Sequence, residues 1–153
     1  MFGLFKKKQV EYFSPAEKDT IVEAIRKAEQ RTSGEVRIYV EAKCPKADPV
    51  QRAGQIFFKL KMDQTAARNG VLLYLAMEDH RLAVYGDQGI HKIVGDIFWK
   101  NAVDKMLAQF NQQYFVPGIV QIIADIGTAL ETHFPYDEKG DKNELPDDIV
   151  FGK

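Results

Sequence analysis

Seven residues, Gly70-Val71-Leu72-Leu73-Tyr74-Leu75-Ala76, limit the architecture of this chain more than any other stretch. Every position is apolar, so a strand built from them must be covered on both faces. Extended to Met77, the run is still far short of the ~20 residues that a bilayer-spanning helix needs. Met77-Glu78-Asp79-His80 is polar enough for a turn, and Arg81 to Tyr85 returns as an antiparallel strand. A central strand buried on both sides calls for helices above and below it, and the rest of the sequence supplies them.

Ser14-Pro15-Ala16-Glu17 combines a capping serine, a first-turn proline and the glutamate of a capping box. Ile21, Val22, Ile25 and Ala28 follow on one face, and Gly34 ends the segment. Glu35 to Glu41 alternates as a strand does. Asp48-Pro49 repeats the cap-plus-proline signature and opens a helix through Ile56, Phe57 and Leu60. Gly86-Asp87-Gln88-Gly89 reads as a glycine-bracketed loop, with helices over roughly Phe98 to Asn111 and Pro117 to His133. The order predicts a three-layer α/β/α sandwich with a small mixed β-sheet, its strands at Val36 and Val71 parallel and joined right-handedly. The expected domain is residues 14–135, with an N-terminal extension at 1–13 and an acidic tail at 136–153. The tail holds six acids and three lysines, and is either disordered or an arm held by Leu145, Ile149, Val150 and Phe151.

Composition excludes several functions. Of 153 residues, 21 are Lys or Arg and 22 are Asp or Glu, which leaves no basic footprint for nucleic acid. One cysteine, Cys44, forms no internal disulfide and fits a reducing compartment. The N-terminus places Lys6-Lys7-Lys8 after its apolar residues, the reverse of a secretory signal, so a cytoplasmic location is expected. That start is either a frayed terminus or a weak membrane-surface contact.

The catalytic motif search is negative. The chain has no G-x-G-x-x-G after a strand, no P-loop and no G-x-S-x-G elbow. His80, His91 and His133 have no metal-ligand spacing, and Cys44 has Val50 where a phosphate-binding arginine would stand. No catalytic residue is identified. Topology does gather one cluster. If Met77 faces His80 across the hairpin, Gly70 stands opposite Asp87, and a parallel neighbour brings Glu35 to the same rim. Glu35, Asn69, Asp87 and Asp96 then present the oxygen ligands of a hard cation, Ca²⁺ or Mg²⁺. The competing reading is a plain Arg68–Asp87 salt bridge with Glu35 solvated. At the opposite end, Glu41, Glu78, Asp79 and His80 form a second, weaker candidate.

Thr32-Ser33-Gly34-Glu35-Val36, Arg68-Asn69-Gly70-Val71-Leu72, Gly86-Asp87-Gln88-Gly89-Ile90 and Phe110 to Gly118 together resemble the TPM domain family. That family includes thylakoid-lumen proteins linked to photosystem repair and described as acid phosphatases. The resemblance spans roughly Ser14 to Pro135. It implies an α/β/α sandwich, a divalent-cation site at the acidic rim and phosphatase-like activity. Many relatives carry a signal peptide and a C-terminal membrane anchor, whereas this chain resembles the short stand-alone cytoplasmic branch. Relatives often have an acid where this chain has Arg68, and Gly-Tyr-Gly-Leu-Glu where it has Gly86 to Ile90. Two functions are therefore expected to compete. One is a Ca²⁺- or Mg²⁺-binding domain with at most modest phosphatase activity; the other is a non-catalytic module that binds a protein partner in stress response or membrane-protein maintenance.

Overall fold

The structure, a computed structural model, describes residues 12–111, 115–136 and 148–152. The expectations for the extreme N-terminus, for Leu145 and for part of the Phe110–Gly118 motif lie outside them. The elements run α1 (Pro15–Glu29), β1 (Glu35–Glu41), α2 (Pro49–Lys59), β2 (Gly70–Ala76), β3 (Arg81–Gly86), α3 (Gln88–Asn111), α4 (Phe115–His133) and β4 (Val150–Phe151). The strands form one sheet ordered β3-β2-β1-β4. β1 is parallel to β2 and β4, and β2 is antiparallel to β3. This is the expected α/β class with a small mixed sheet.

Period-two alternation divides the sheet between two cores. Val36, Ile38, Val40, Val71, Leu73 and Leu75 pack with α1, α3 and α4. Tyr39, Leu72, Tyr74 and Ala83 pack under Ala53, Ile56 and Phe57 of α2. All seven residues of β2 are buried, as their uniform apolarity requires. α4 is long and apolar enough to cross a bilayer by composition. Its Ile119, Ile122, Ile123, Ile126 and Leu130 are instead buried as a core helix.

Local signals account for most boundaries. Ser14 and Glu17 make the reciprocal capping box, and the Asp48 carboxylate accepts from the Val50 N–H at 2.9 Å. Three features differ from the sequence reading. α1 stops at Glu29, and the next residues form a bridge between Thr32 and Pro135. The expected loop at Gly86–Gly89 is cut short, because α3 begins at Gln88: the Asp87 backbone carbonyl accepts from the Ile90 and His91 N–H groups at 3.1 and 2.8 Å, and its carboxylate from the Gln88 N–H at 2.8 Å. α3 then breaks at Gly95, whose φ of 76° and ψ of 173° suit glycine almost alone. In the tail, Val150 and Phe151 add to β1 as β4, so that segment contributes a strand.

Candidate functional site

Sheet register builds the rim. Glu35 pairs with Gly70 across β1 and β2, and the Asp87 N–H donates to the Gly70 carbonyl at 2.9 Å. Glu35, Gly70 and Asp87 thus lie in one row across three strands. Alternation turns all three toward the α2 face, the face shared by Tyr39, Leu72 and Tyr85. Strand spacing puts the outer two Cα atoms about 9–10 Å apart, with no side chain between them. Both acids are buried, Glu35 at 2% exposure and Asp87 at 3%. Above Gly70 lies the Met62 carbonyl oxygen, 3.1 Å from where a Cβ would stand.

Arg68 closes the row from outside. Its Nε donates to Asp87 Oδ2 at 2.7 Å and its Nη2 to Oδ1 at 2.8 Å. That fork occupies both carboxylate oxygens, and the pairing holds the guanidinium more firmly charged than usual, with Asp63 adding to the field. The Arg68 backbone sits in the left-handed region at φ 53°. Beside it, the Asn69 N–H donates to Thr65 Oγ1 at 3.3 Å, and the Asn69 carbonyl accepts from the Glu35 N–H at 3.4 Å. The Asn69 side chain is buried, yet neither its Oδ1 nor its Nδ2 has a hydrogen-bond partner among the described residues. Leaving such a group unpaired costs about 1–3 kcal/mol.

Glu35, Asn69 and Asp87 thus all lie at the same end of the sheet. Asp96 does not join them. It lies on α3, just past the break at Gly95. There Asp96 is 94% exposed and pairs with His91 Nε2 at 3.3 Å. Among the described residues, no three His, Cys, Asp or Glu side chains converge tightly enough to hold a metal ion. A cation at the rim would rest on two carboxylates with amide and carbonyl oxygens. Sequence reasoning missed the Met62 carbonyl and Asp63. The available signal was the length of α2, which spans the sheet and returns the chain to this rim just after Lys59.

The opposite end is closed by its own network. Arg52 forks onto Glu41, Nε to Oε2 and Nη2 to Oε1, each at 2.9 Å, and the Tyr74 hydroxyl donates to Oε2. Burial and then Glu41 push the Tyr74 phenol well above the ordinary tyrosine range. Asp79 accepts from the Cys44 N–H at 2.7 Å, and the His80 ring meets Phe110 at a tilt and Phe115 edge-on. Glu78 is exposed. Of that set only Glu41 is buried, and both its carboxylate oxygens are already engaged.

Comparison with known proteins bears on the fold. The sequence profile of the TPM domain matches residues 7–129. The NMR structure of the BA42 protein from the psychrophilic bacterium Bizionia argentinensis superposes with a TM-score of 0.85 at 41% identity, covering 95% of this chain and 99% of that one. An N-terminal domain from Corynebacterium glutamicum shares the fold at a TM-score of 0.61 and 13% identity, covering 78% of this chain and 74% of that one. A second N-terminal domain, from P. gingivalis, gives 0.63 and 13%, covering 82% and 83%. No protein of curated function matches the chain.

Proposed function

The chain belongs to the TPM domain family, and from that premise we propose that it binds a divalent cation, Ca²⁺ or Mg²⁺, at the rim formed by Glu35, Asn69 and Asp87. The observation that supports this reading is the buried Asn69 amide with neither polar atom bonded. A buried amide of this kind calls for a partner outside the protein's own side chains, and a bound ion supplies one. Carboxylate, amide and carbonyl oxygens are what a hard cation takes, and the Met62 carbonyl adds one more above Gly70. Arg68 is the tethered cation of the ion-free state. An arriving ion displaces the guanidinium from Asp87 and leaves its fork facing solvent, suited to a phosphate or carboxylate.

Any hydrolysis at this rim is modest. When bound, the cation supplies Lewis-acid polarisation and an activated water. The chain's own residues there hold and orient: among the described residues the rim presents carboxylates, an amide, a guanidinium and the Thr65 hydroxyl, which accepts from the Asn69 N–H. Thermal melting with Ca²⁺, with Mg²⁺ and with EDTA tests the proposal. At a hundredfold excess over Kd the ion adds about 2.7 kcal/mol, a rise of roughly 5–10 °C at this chain length, and Asp87→Asn removes most of it. Equal melting in all three conditions would overturn the reading. Hydrolysis of a generic phosphate ester, lost in Asp87→Asn with melting otherwise intact, would add the phosphatase function.

A further inference from the structure

α3 runs back along β3, and two contacts fix its direction. Trp99 packs against Gly86, where a Cβ would meet its ring. At the other end of the strand the Phe110 ring lies 5.6 Å from that of His80. A groove of about 590 Å³ follows this course, walled by α3 on one side and by Pro49 and Val50 of α2 on the other. Sites for small molecules commonly enclose roughly 300–1,000 Å³. The groove extends about 13 Å along β3 from Gly86 to Leu82, and about 16 Å along α3 from Asp96 to Leu107. Its floor is closed, since Leu82 and Val84 are 3% and 4% exposed. Its polar groups gather at one end. His91, Asp96 and Lys100 stand toward Gly86, whereas Val103 and Leu107 stand toward the hairpin. Val50 joins that apolar end, because Arg81 donates to the Lys46 and Ala47 carbonyls just before α2. Val50 is half exposed, although such a residue gains by burial.

We propose that this groove binds a single-chain amphiphile about 15 Å long, its hydrocarbon toward Leu107 and an uncharged hydroxyl or amide head between Asp96 and Lys100. The hydrocarbon covers Val50, Val103 and Leu107, which supply the apolar contact. Charge sets the head. His91 Nδ1 accepts from Trp99 Nε1 at 3.0 Å, so the imidazole proton sits on Nε2, 3.3 Å from Asp96 Oδ1. A neutral imidazole leaves the Asp96 charge in place, one helical turn from the Lys100 ammonium. A hydroxyl donates to the first and accepts from the second. A carboxylate head is repelled by Asp96, and an ammonium head by Lys100. The closed floor offers an extended peptide no ladder to join. The groove shares no residue with the cation rim, so either proposal can fail alone.

Trp99, the one tryptophan of the chain, lies in the wall, and its fluorescence reports occupancy. The test is titration of the full chain with monomeric decanol, decanoate and decylamine. Decanol is expected to shift the emission saturably and to bind about tenfold more tightly than either charged analogue, the equivalent of ~1.4 kcal/mol. Val50→Asp and Val103→Asp should each weaken it by a similar factor. Val50 is half exposed, so its variant carries the test where Val103→Asp misfolds. Lys100→Glu should turn the preference to decylamine, and Asp96→Lys to decanoate. No saturable response to any probe, a charged analogue bound more tightly than decanol, or binding indifferent to both aspartate variants would overturn the proposal. So would binding to neutral lipid vesicles without binding to monomeric decanol, which would assign the groove to a membrane surface. A concentration-dependent dimer lost in Val50→Asp would overturn it as well, in favour of a second copy.

Discussion

Replacing Asn69 by leucine separates a residue kept for packing from one kept for a ligand. Asn69 is 1% exposed and neither side-chain polar atom is bonded among the described residues. A buried unsatisfied group costs about 1–3 kcal/mol. Leucine has a similar branched shape and no polar atom, so the ion-free Asn69→Leu protein should be more stable by about that amount. At roughly 2–4 °C per kcal/mol for a chain of this size, the midpoint in EDTA rises by roughly 2–12 °C. The backbone bonds to Thr65 and Glu35 do not involve the side chain and persist. Saturating Ca²⁺ or Mg²⁺ should then reverse the picture. The wild-type protein gains about 2.7 kcal/mol at a hundredfold excess over Kd, while the variant, lacking the amide oxygen, gains much less. Calorimetric melts of both proteins, in EDTA and in millimolar cation, give the four midpoints needed. An Asn69→Leu protein that melts lower in EDTA and responds to cation as wild type does would refute the reasoning, because the amide would then be a packing residue.

Three other outcomes follow from the geometry. Glu41→Leu strips the acceptor from Arg52 and Tyr74 and leaves a guanidinium with 21% side-chain exposure unpaired; urea unfolding should show a loss of about 3–5 kcal/mol. Tyr74 is held protonated by burial and by Glu41, and Tyr39 is raised in the same direction by burial. Both phenols thus keep their protons in the fold after the unfolded chain has begun to lose them. That contribution is intact below pH ~10 and is lost as pH rises above it, so urea midpoints should fall from about pH 9 to about pH 11. Gly95→Ala meets no neighbouring atom at its new Cβ but must adopt φ 76°; thermal melting should register a loss of about 1–3 kcal/mol from backbone strain alone.

The sheet was legible in sequence because alternation and a short turn leave little freedom. Once Met77 faces His80, a single register follows, and it puts Asp87 beside Gly70. The same argument located the Arg68–Asp87 pair and the approach of Glu35. The course of the chain beyond Asp87 was harder to read. Two glycines around Asp87-Gln88 suggest a loop, yet the Asp87 carbonyl opens a helix there, and Asp96 ends on that helix, 94% exposed and paired with His91. Gly95 hides in the same way, since its conformation leaves no periodic signature. The Met62 carbonyl was invisible for another reason: a backbone oxygen carries no residue-type signal, and only the return path of α2 brings it over Gly70.

The account turns on whether the rim takes an ion, and titrating Ca²⁺ and Mg²⁺ against the backbone amide spectrum of the ¹⁵N-labelled protein tests that directly. Saturable shifts confined to Glu35, Asn69, Gly70, Asp87 and Gln88, with the Arg68 Nε–H resonance moving as its fork leaves Asp87, are the predicted result. Unchanged signals at Asn69 and Asp87 in millimolar cation would contradict it and leave the rim as a salt bridge over a buried glutamate.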